Sequence, residues 1–356
     1  MKEQRFRVLL DVLRRMDLDA CIIKGMDNIF YLSGFRGSEG SLLVTQGDVL
    51  LLTDARYTTH AREVACEGVT VTEITPRNNI LKTLCERYGV RRLGFDSFHT
   101  TYHVYAKWVE ENLGVSLVPL GQEVEDIREQ KEPEEIDAIR RAIDVATHAF
   151  NAVLERLAPG RTEREVANEL DYAMRRLGAD APSFDTIVAS GARAALPHAN
   201  PTDKKLVAGE TVIIDFGCSI GGYVSDETCT LSVGTPSERM REIHSVVRKA
   251  QEKGIASVRS GMPVRELDTI VRGFIEECGY GDYFRHGTGH GVGVAVHEAP
   301  AISVNTNGLL QENMVITIEP GIYVPHEGGV RLEDMVLVCE DRGEVLTRLR
   351  KDLFEV

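Results

Sequence analysis

Nowhere in the 356 residues does an apolar run approach the ~20 residues a helix needs to cross a bilayer, so no membrane partner is expected. The N-terminal MKEQRFRVLLDVLRRMDLDA is charged and helical in period, without the apolar core of a signal peptide. Positive charge is in short supply: 41 Lys and Arg face 55 Asp and Glu, a formal net charge of −14. That balance argues against general nucleic-acid binding, where phosphate contacts need clustered cations. The seven cysteines (Cys21, Cys66, Cys85, Cys218, Cys229, Cys278 and Cys339) are an odd, scattered set with no C-x-x-C pair. They read as reduced thiols of a cytoplasmic protein rather than a disulfide framework. Internal repeats and low-complexity tracts are also lacking. What is there is an ordinary globular balance, 43% hydrophobic and 27% charged, in a chain long enough for two domains.

Residues 1–128 alternate helical and strand patterns: an amphipathic helix over 3–16, a strand in DACIIKG (19–25), a hairpin in SLLVTQGDVLLLTDARY (41–57) turning at Gln46-Gly47-Asp48, and a short strand in VRRLGFD (90–96). The polar stretch VEDIREQKEPEEI (124–136) closes this region, with Pro133 at the first position of a new helix. A second domain, 129–356, follows. It has helical periodicity over 134–157, 162–178, 236–259 and 263–279 and strand-rich segments elsewhere. The fold class is α/β, in its α+β form.

RHGTGHGVGVAVHE (285–298) holds three histidines and four glycines. The spacing of His286 and His290 imitates the helical zinc motif H-E-x-x-H, but Gly287 stands where the glutamate belongs. Interior glycines cost a helix roughly 1 kcal/mol each. The alternating valines after Gly291 predict a glycine-rich loop entering a strand. A phosphate-binding loop is excluded because the segment does not open a helix. DFG at 215–217 resembles a kinase motif but has no HRD or VAIK partner.

Two strand pairs each embed two acids among β-branched residues. TVIIDFG (211–217) carries Asp215 and YVSDETCTLSV (223–233) carries Asp226. A hairpin centred on Ile220-Gly221 sets the two opposite each other, with facing Cβ atoms roughly 4.5–5.5 Å apart. Gly221-Gly222 is also a good turn and shifts the pairing by two. NMVITIEPGIYV (313–324) and GGVRLEDMVLV (328–338) carry Glu319 and Glu333, which face each other if the loop centres on His326. Arg331 then shares the face of Glu333. A lone acid at a strand end is ordinarily solvated, but buried carboxylates need a positive partner. Four carboxylates with a histidine make a hard, oxygen-rich site: Mn, Mg or Ca by its oxygens, Co, Fe or Zn by its imidazole.

LPHAN (196–200), VIIDFG with YVSDET, HGTGHGVG, HE (297–298), TIEPGIY (317–323) and GGVRLED (328–334) resemble, in order, the motifs of the creatinase/prolidase-like "pita-bread" metallopeptidases. NIFYLSGFRGSEGSLLVT and LLTDARY (28–57) look like the extra N-terminal domain of the branch of Xaa-Pro dipeptidases and Xaa-Pro aminopeptidases. The resemblance implies a creatinase/prolidase-type domain over 1–128 followed by a catalytic pita-bread domain over 129–356. It implies a dinuclear metal site of Asp215, Asp226, His290, Glu319 and Glu333, with Asp226 and Glu333 shared by both ions. Manganese is the first expectation, cobalt or zinc the alternatives. It further implies hydrolysis of the bond before proline in Xaa-Pro dipeptides or peptides with proline second, by a hydroxide bridging the two metals, with Glu319 relaying its proton.

By the same resemblance His297 and His198 are active-site histidines and His286 a substrate-pocket histidine. Arg331 is placed to hold a ligand carboxylate bidentately or to pair with a surface acid, and the resemblance implies a homodimer. Without the resemblance these residues read as surface, turn or loop side chains. The remaining six histidines carry no motif. One departure stands out: Cys229 occupies a position where the related motif SDxTRT has arginine. Competing functions are a methionine-aminopeptidase-like exopeptidase, disfavoured by the long N-terminal region and His286, a catalytically silent binding protein, and creatinase-like chemistry. The last two are disfavoured by the intact ligand set.

Overall fold

The protein's architecture is given by a computed structural model, which describes residues 2–75 and 80–356. The chain divides into two compact units, Met1–Arg128 and Glu129–Val356. In the first, helix α1 (Lys2–Arg15) leads into strand β1 (Ala20–Ile23) and helix α2 (Met26–Ser33). The hairpin of β2 (Ser41–Thr45) and β3 (Val49–Thr53) turns at Gln46–Asp48, where Thr45 N donates to the Asp48 carbonyl at 2.9 Å. There follow α3 (Thr58–Val64), β4 (Val69–Glu73), α4 (Ile80–Tyr88), β5 (Arg92–Asp96), α5 (Tyr102–Glu110), β6 (Ser116–Leu120) and α6 (Gln122–Glu125). The strands form one sheet in the order β4-β3-β2-β1-β5-β6. Leu43, Leu52, Leu84, Leu93 and Trp108 share the core on one of its faces.

The second unit opens with α7 (Pro133–Leu154), whose start is specified twice. Pro133 lies in the first turn, where no N–H partner is needed, and Glu132 and Glu135 close a capping box. Helix α8 (Glu163–Arg176) repeats the box with Thr162 and Glu165. Then come β7 (Ala181–Pro182), β8 (Ile187–Ser190), β9 (Thr211–Phe216), β10 (Cys218–Ile220), β11 (Tyr223–Val224) and β12 (Glu227–Ser232). Helices α9 (Glu238–Ser257) and α10 (Val264–Glu277) precede β13 (Gly289–Gly291), β14 (Glu298–Ile302), β15 (Val315–Ile318), β16 (Gly321–Val324), β17 (Gly328–Arg331), β18 (Asp334–Val338) and β19 (Gly343–Val345). The sheets are β11-β10-β7, β12-β9-β8, β14-β13-β15-β18-β19 and the pair β16-β17. Strands β9, β12, β15 and β18 are buried throughout. Helices α7 and α8 pack on β9 and β12, and α9 and α10 cover the strands from β15 to β18.

One open alternative is resolved and one expectation needs correction. Of the two candidate turns the hairpin after Asp215 takes Gly221-Gly222 rather than Ile220-Gly221, so Asp215 pairs with Thr228, and Asp226 lies two residues further along on the same face. Both glycines have positive φ, 59° and 85°, the backbone of a type I′ turn whose twist suits paired strands. The correction concerns 292–297. The valine alternation there is not a strand; the strand is the glycine segment Gly289–Gly291, and the ladder resumes only at Glu298. The Glu298 carboxylate accepts from Val294 N and Ala295 N at 2.9 and 3.0 Å and so removes them from any ladder. The second hairpin has the expected register. Gly321 pairs with Arg331 and Ile318 with Asp334 on either side of Glu319 and Glu333, and His326 turns the loop with φ 68°.

Candidate metal centre

Asp215, Asp226, His198, His286, His290, His297, Glu319, Arg331 and Glu333 all line one cavity of about 500 Å³ in the second unit. Its floor is buried: Asp226, Glu333 and Arg331 are each under 5% exposed. His198 and His297 stand exposed at its rim.

Each floor residue is placed by a strand and held by a neighbour. Asp215 is the penultimate residue of β9 (TVIIDF), and its Oδ2 accepts from Arg331 Nη2 at 2.5 Å, while its Oδ1 is buried and has no donor among the described residues. Glu333 Oε2 accepts from Thr228 Oγ1 at 2.7 Å, and Thr228 Oγ1 also receives Arg331 Nε at 3.3 Å. The His290 segment fits because glycines flank it. A Cβ at Gly289 would lie 2.0 Å from the Thr317 carbonyl oxygen, and one at Gly291 2.1 Å from that of Ala299. His290 Nδ1 lies 3.1 Å from the Gly291 carbonyl, which fixes the proton there and turns Nε2 toward the carboxylates. Nε2 lies 3.3 Å from Glu319 Oε1 and 3.7 Å from Asp226 Oδ2. From α10, Asp268 accepts from Thr288 N and Oγ1, and Arg272 donates to the carbonyls of Phe284 and His286, pinning the loop before His290.

Negative charge is concentrated here beyond what the protein itself neutralises. Burial, then the neighbouring acids, pushes the carboxyls of Asp226 and Glu333 well above the usual carboxylate range. Burial also raises Asp215, against the pull of Arg331. His290 is the reverse: burial opposes its charge, yet its bond to Glu319 lifts it to about 9. Glu319 is held low by that same contact in spite of its own burial. Carboxyls crowded until they resist ionising, and a buried carboxylate oxygen without a donor among the described residues, are the marks of a site built around cations. A donor set of four carboxylates and one imidazole fits divalent ions. Within the cavity, Asp226, His290 and Glu333 offer ligand atoms that all lie within 4.8 Å of one another.

His286 also lines the cavity, but both its nitrogens are engaged, with the Gly287 carbonyl at 2.8 Å and the Tyr323 hydroxyl at 3.0 Å. Arg331 Nη1 donates to the same hydroxyl at 3.0 Å. Tyr323 is thus a link between Arg331 and His286 that sequence reasoning missed. The signal was present: 319, 321 and 323 share a strand face, and 331 and 333 lie opposite them. Cys229, at the expected arginine position, is a buried thiol pushed up to about 12 by burial, against the opposing pull of the Lys351 ammonium.

A second grouping, Asp96, His99 and Glu125, lies in the first unit. Its oxygens already have donors: Asp96 takes Gly25 N and His99, and Glu125 takes Asn28 and, at 2.5 Å, the Arg128 guanidinium. Every carboxylate oxygen of this group has a donor, whereas in the cavity Asp215 Oδ1 has none among the described residues.

The sequence model of Metallopeptidase family M24 matches residues 137–340, and that of the Creatinase/Prolidase N-terminal domain matches residues 5–130. An Xaa-Pro dipeptidase of Pyrococcus furiosus is 38% identical over 99% of this chain and 100% of its own. Among solved structures, an Xaa-Pro dipeptidase from Bacillus anthracis superposes with TM-score 0.95 at 35% identity, covering 100% of both chains. An X-Pro aminopeptidase from Thermotoga maritima superposes with TM-score 0.92 at 34% identity, covering 100% of this chain and 99% of that one.

Proposed function

The chain belongs to metallopeptidase family M24, and on that premise we propose that it is a metal-dependent exopeptidase that cleaves between an N-terminal residue and a following proline. The observation that carries this reading is the cavity floor, where Asp215, Asp226, Glu319 and Glu333 converge with His290 and one Asp215 oxygen has no donor. Asp226 and Glu333 would hold both ions, Asp215 one, and His290 with Glu319 the other. When bound, two divalent ions supply Lewis acidity and make water acidic enough to attack near neutral pH.

The chain's own residues do the rest. The Glu319 carboxylate, kept ionised by its contact with His290, takes the proton of the attacking water and delivers it to the departing proline nitrogen. Arg331 holds Asp215 in place and, through Tyr323, orients His286. His297, whose partly covered ring and neighbouring His290 hold it below the ordinary histidine range, donates from the rim to the oxygen of the scissile carbonyl, with His198 beside it. The substrate's free α-amine would sit beside the metal-holding floor, which restricts cleavage to N-terminal residues. Phe184, Val296 and Ile302 supply apolar wall for the pyrrolidine ring.

Manganese is the proposed metal, ahead of cobalt and zinc, and metal analysis after chelator-free purification decides among them. A cytoplasmic homodimer is proposed. The seven free thiols support the compartment. Similar proteins bear both dipeptidase and aminopeptidase names, so Ala-Pro and a longer Ala-Pro-peptide are to be assayed side by side with Mn²⁺. Hydrolysis of either, lost on Asp226→Ala, supports the function. Full activity in that variant rejects the assigned roles.

A further inference from the structure

Successive residues of a strand point to opposite faces. Asp226 and Glu333 line the cavity, whereas the residues directly after them, Glu227 and Asp334, do not. Glu227 and Asp334 instead share one ammonium: Lys351 Nζ, from the C-terminal segment, lies 2.6 Å from Glu227 Oε1 and 3.2 Å from Asp334 Oδ1. All three side chains are buried or nearly so, the lysine at 12% exposure. The segment is docked at further points, since Leu349 N donates to Glu227 Oε1 at 3.0 Å and Thr347 Oγ1 to Asp334 Oδ1 at 2.6 Å. Gln251 of α9 completes the group. It donates to Asp334 Oδ2 at 3.0 Å and to the carbonyl of Ile318, the residue before Glu319, at 3.3 Å.

This network faces away from the cavity, yet it holds the backbone next to three of the five candidate ligands. The strands it joins need joining, because β12 and β18 belong to different sheets. A backbone bond, Glu333 N to the Thr228 carbonyl at 3.1 Å, crosses between their chain segments. On the cavity side two like charges push Asp226 and Glu333 apart.

We propose that Lys351 is a positioning residue for the metal centre: clamped between Glu227 and Asp334, it fixes the separation of Asp226 and Glu333 so that both reach the same cations. This rests on the reading of those two carboxylates as shared metal ligands. Lys351 itself does not line the cavity and touches neither metal nor substrate.

The test is calorimetric titration of the metal-free full chain with Mn²⁺, with near-UV circular dichroism to show native packing. Lys351→Met is expected to weaken binding about 10–100-fold, the range for residues that orient metal ligands from behind. Lys351→Arg, which keeps the charge, should stay within about threefold of the wild type. Should the methionine variant not fold, Glu227→Gln, which keeps the shape but removes one side of the clamp, should weaken binding by about tenfold. A folded Lys351→Met or Glu227→Gln protein that binds Mn²⁺ as tightly as the wild type overturns the proposal alone. A wild type that takes up no pair of ions overturns the metal-site reading, and the proposal with it.

Discussion

Replacing Arg331 by methionine isolates the charge balance of the cavity floor. The stem of methionine fills similar apolar space, but the guanidinium's bonds to Asp215, Tyr323, the Pro197 carbonyl and Thr228 all go. The gravest loss is at Asp215, whose second oxygen already lacks a donor. Removing one partner of a buried ion pair costs about 3–5 kcal/mol, and that is the destabilisation expected for the metal-free variant at pH 8. Two conditions should reduce it. Burial already holds the Asp215 carboxyl above its usual range, and loss of Arg331 raises it further. A folded-state value above the unfolded one gives stability that is present at low pH and lost as pH rises, so the gap from wild type should shrink at pH 5. A cation in the cavity takes over the guanidinium's neutralising role, so saturating Mn²⁺ should also narrow the gap at pH 8. Urea unfolding of both proteins under these three conditions is the assay. A metal-free difference below about 1 kcal/mol at pH 8, or one unchanged at pH 5, refutes the reasoning.

Because His290 is lifted to about 9 and Asp226 and Glu333 stand well above the ordinary carboxylate range, protons compete with metal. Mn²⁺ affinity should rise about tenfold per pH unit between pH 6 and 8 for each proton displaced, and titration in buffers of different ionisation heat counts those protons. His244 is buried on α9 with Nε2 unpartnered among the described residues, and burial holds it down to about 4. Its depressed value makes stability fall as pH drops from 6.5 through 4, by up to about 3 kcal/mol. His244→Phe should remove that share of the loss, and an unchanged pH profile of unfolding would dismiss it. Gly289→Ala should break the approach of β13 to β15, since its Cβ would lie 2.0 Å from the Thr317 carbonyl oxygen. A loss of 2 °C or less in the Tm of the second unit, under about 1 kcal/mol for a unit of this size, would show that the strand yields.

Legibility followed the kind of signal. The mixed helix and strand character, the helices of the second unit and the pairing around His326 were readable, because periodicity, capping boxes and a single plausible loop centre all agreed. The pairing after Asp215 was not, because two glycine-containing turns competed. The outcome involves a tertiary contact invisible to local reasoning: Asp180 Oδ2 accepts from Gly221 N at 2.7 Å. The valine alternation at 292–296 misled for a similar reason, since a side chain three and four residues on captured the backbone donors. Tyr323 and Lys351 escaped because their importance lies in what they touch across the sheet and at the chain's end, which composition and spacing do not encode. The motifs marked the residues that line the cavity; the residues that hold them in place came only with the fold.

The central claim is that five side chains, spread from 215 to 333, hold a pair of cations. Anomalous diffraction at the manganese edge from crystals of the Mn²⁺-loaded full chain tests it most directly. Two peaks are expected, enclosed by Asp215, Asp226, His290, Glu319 and Glu333. A cavity with no peak, or peaks bound elsewhere on the chain, would contradict it.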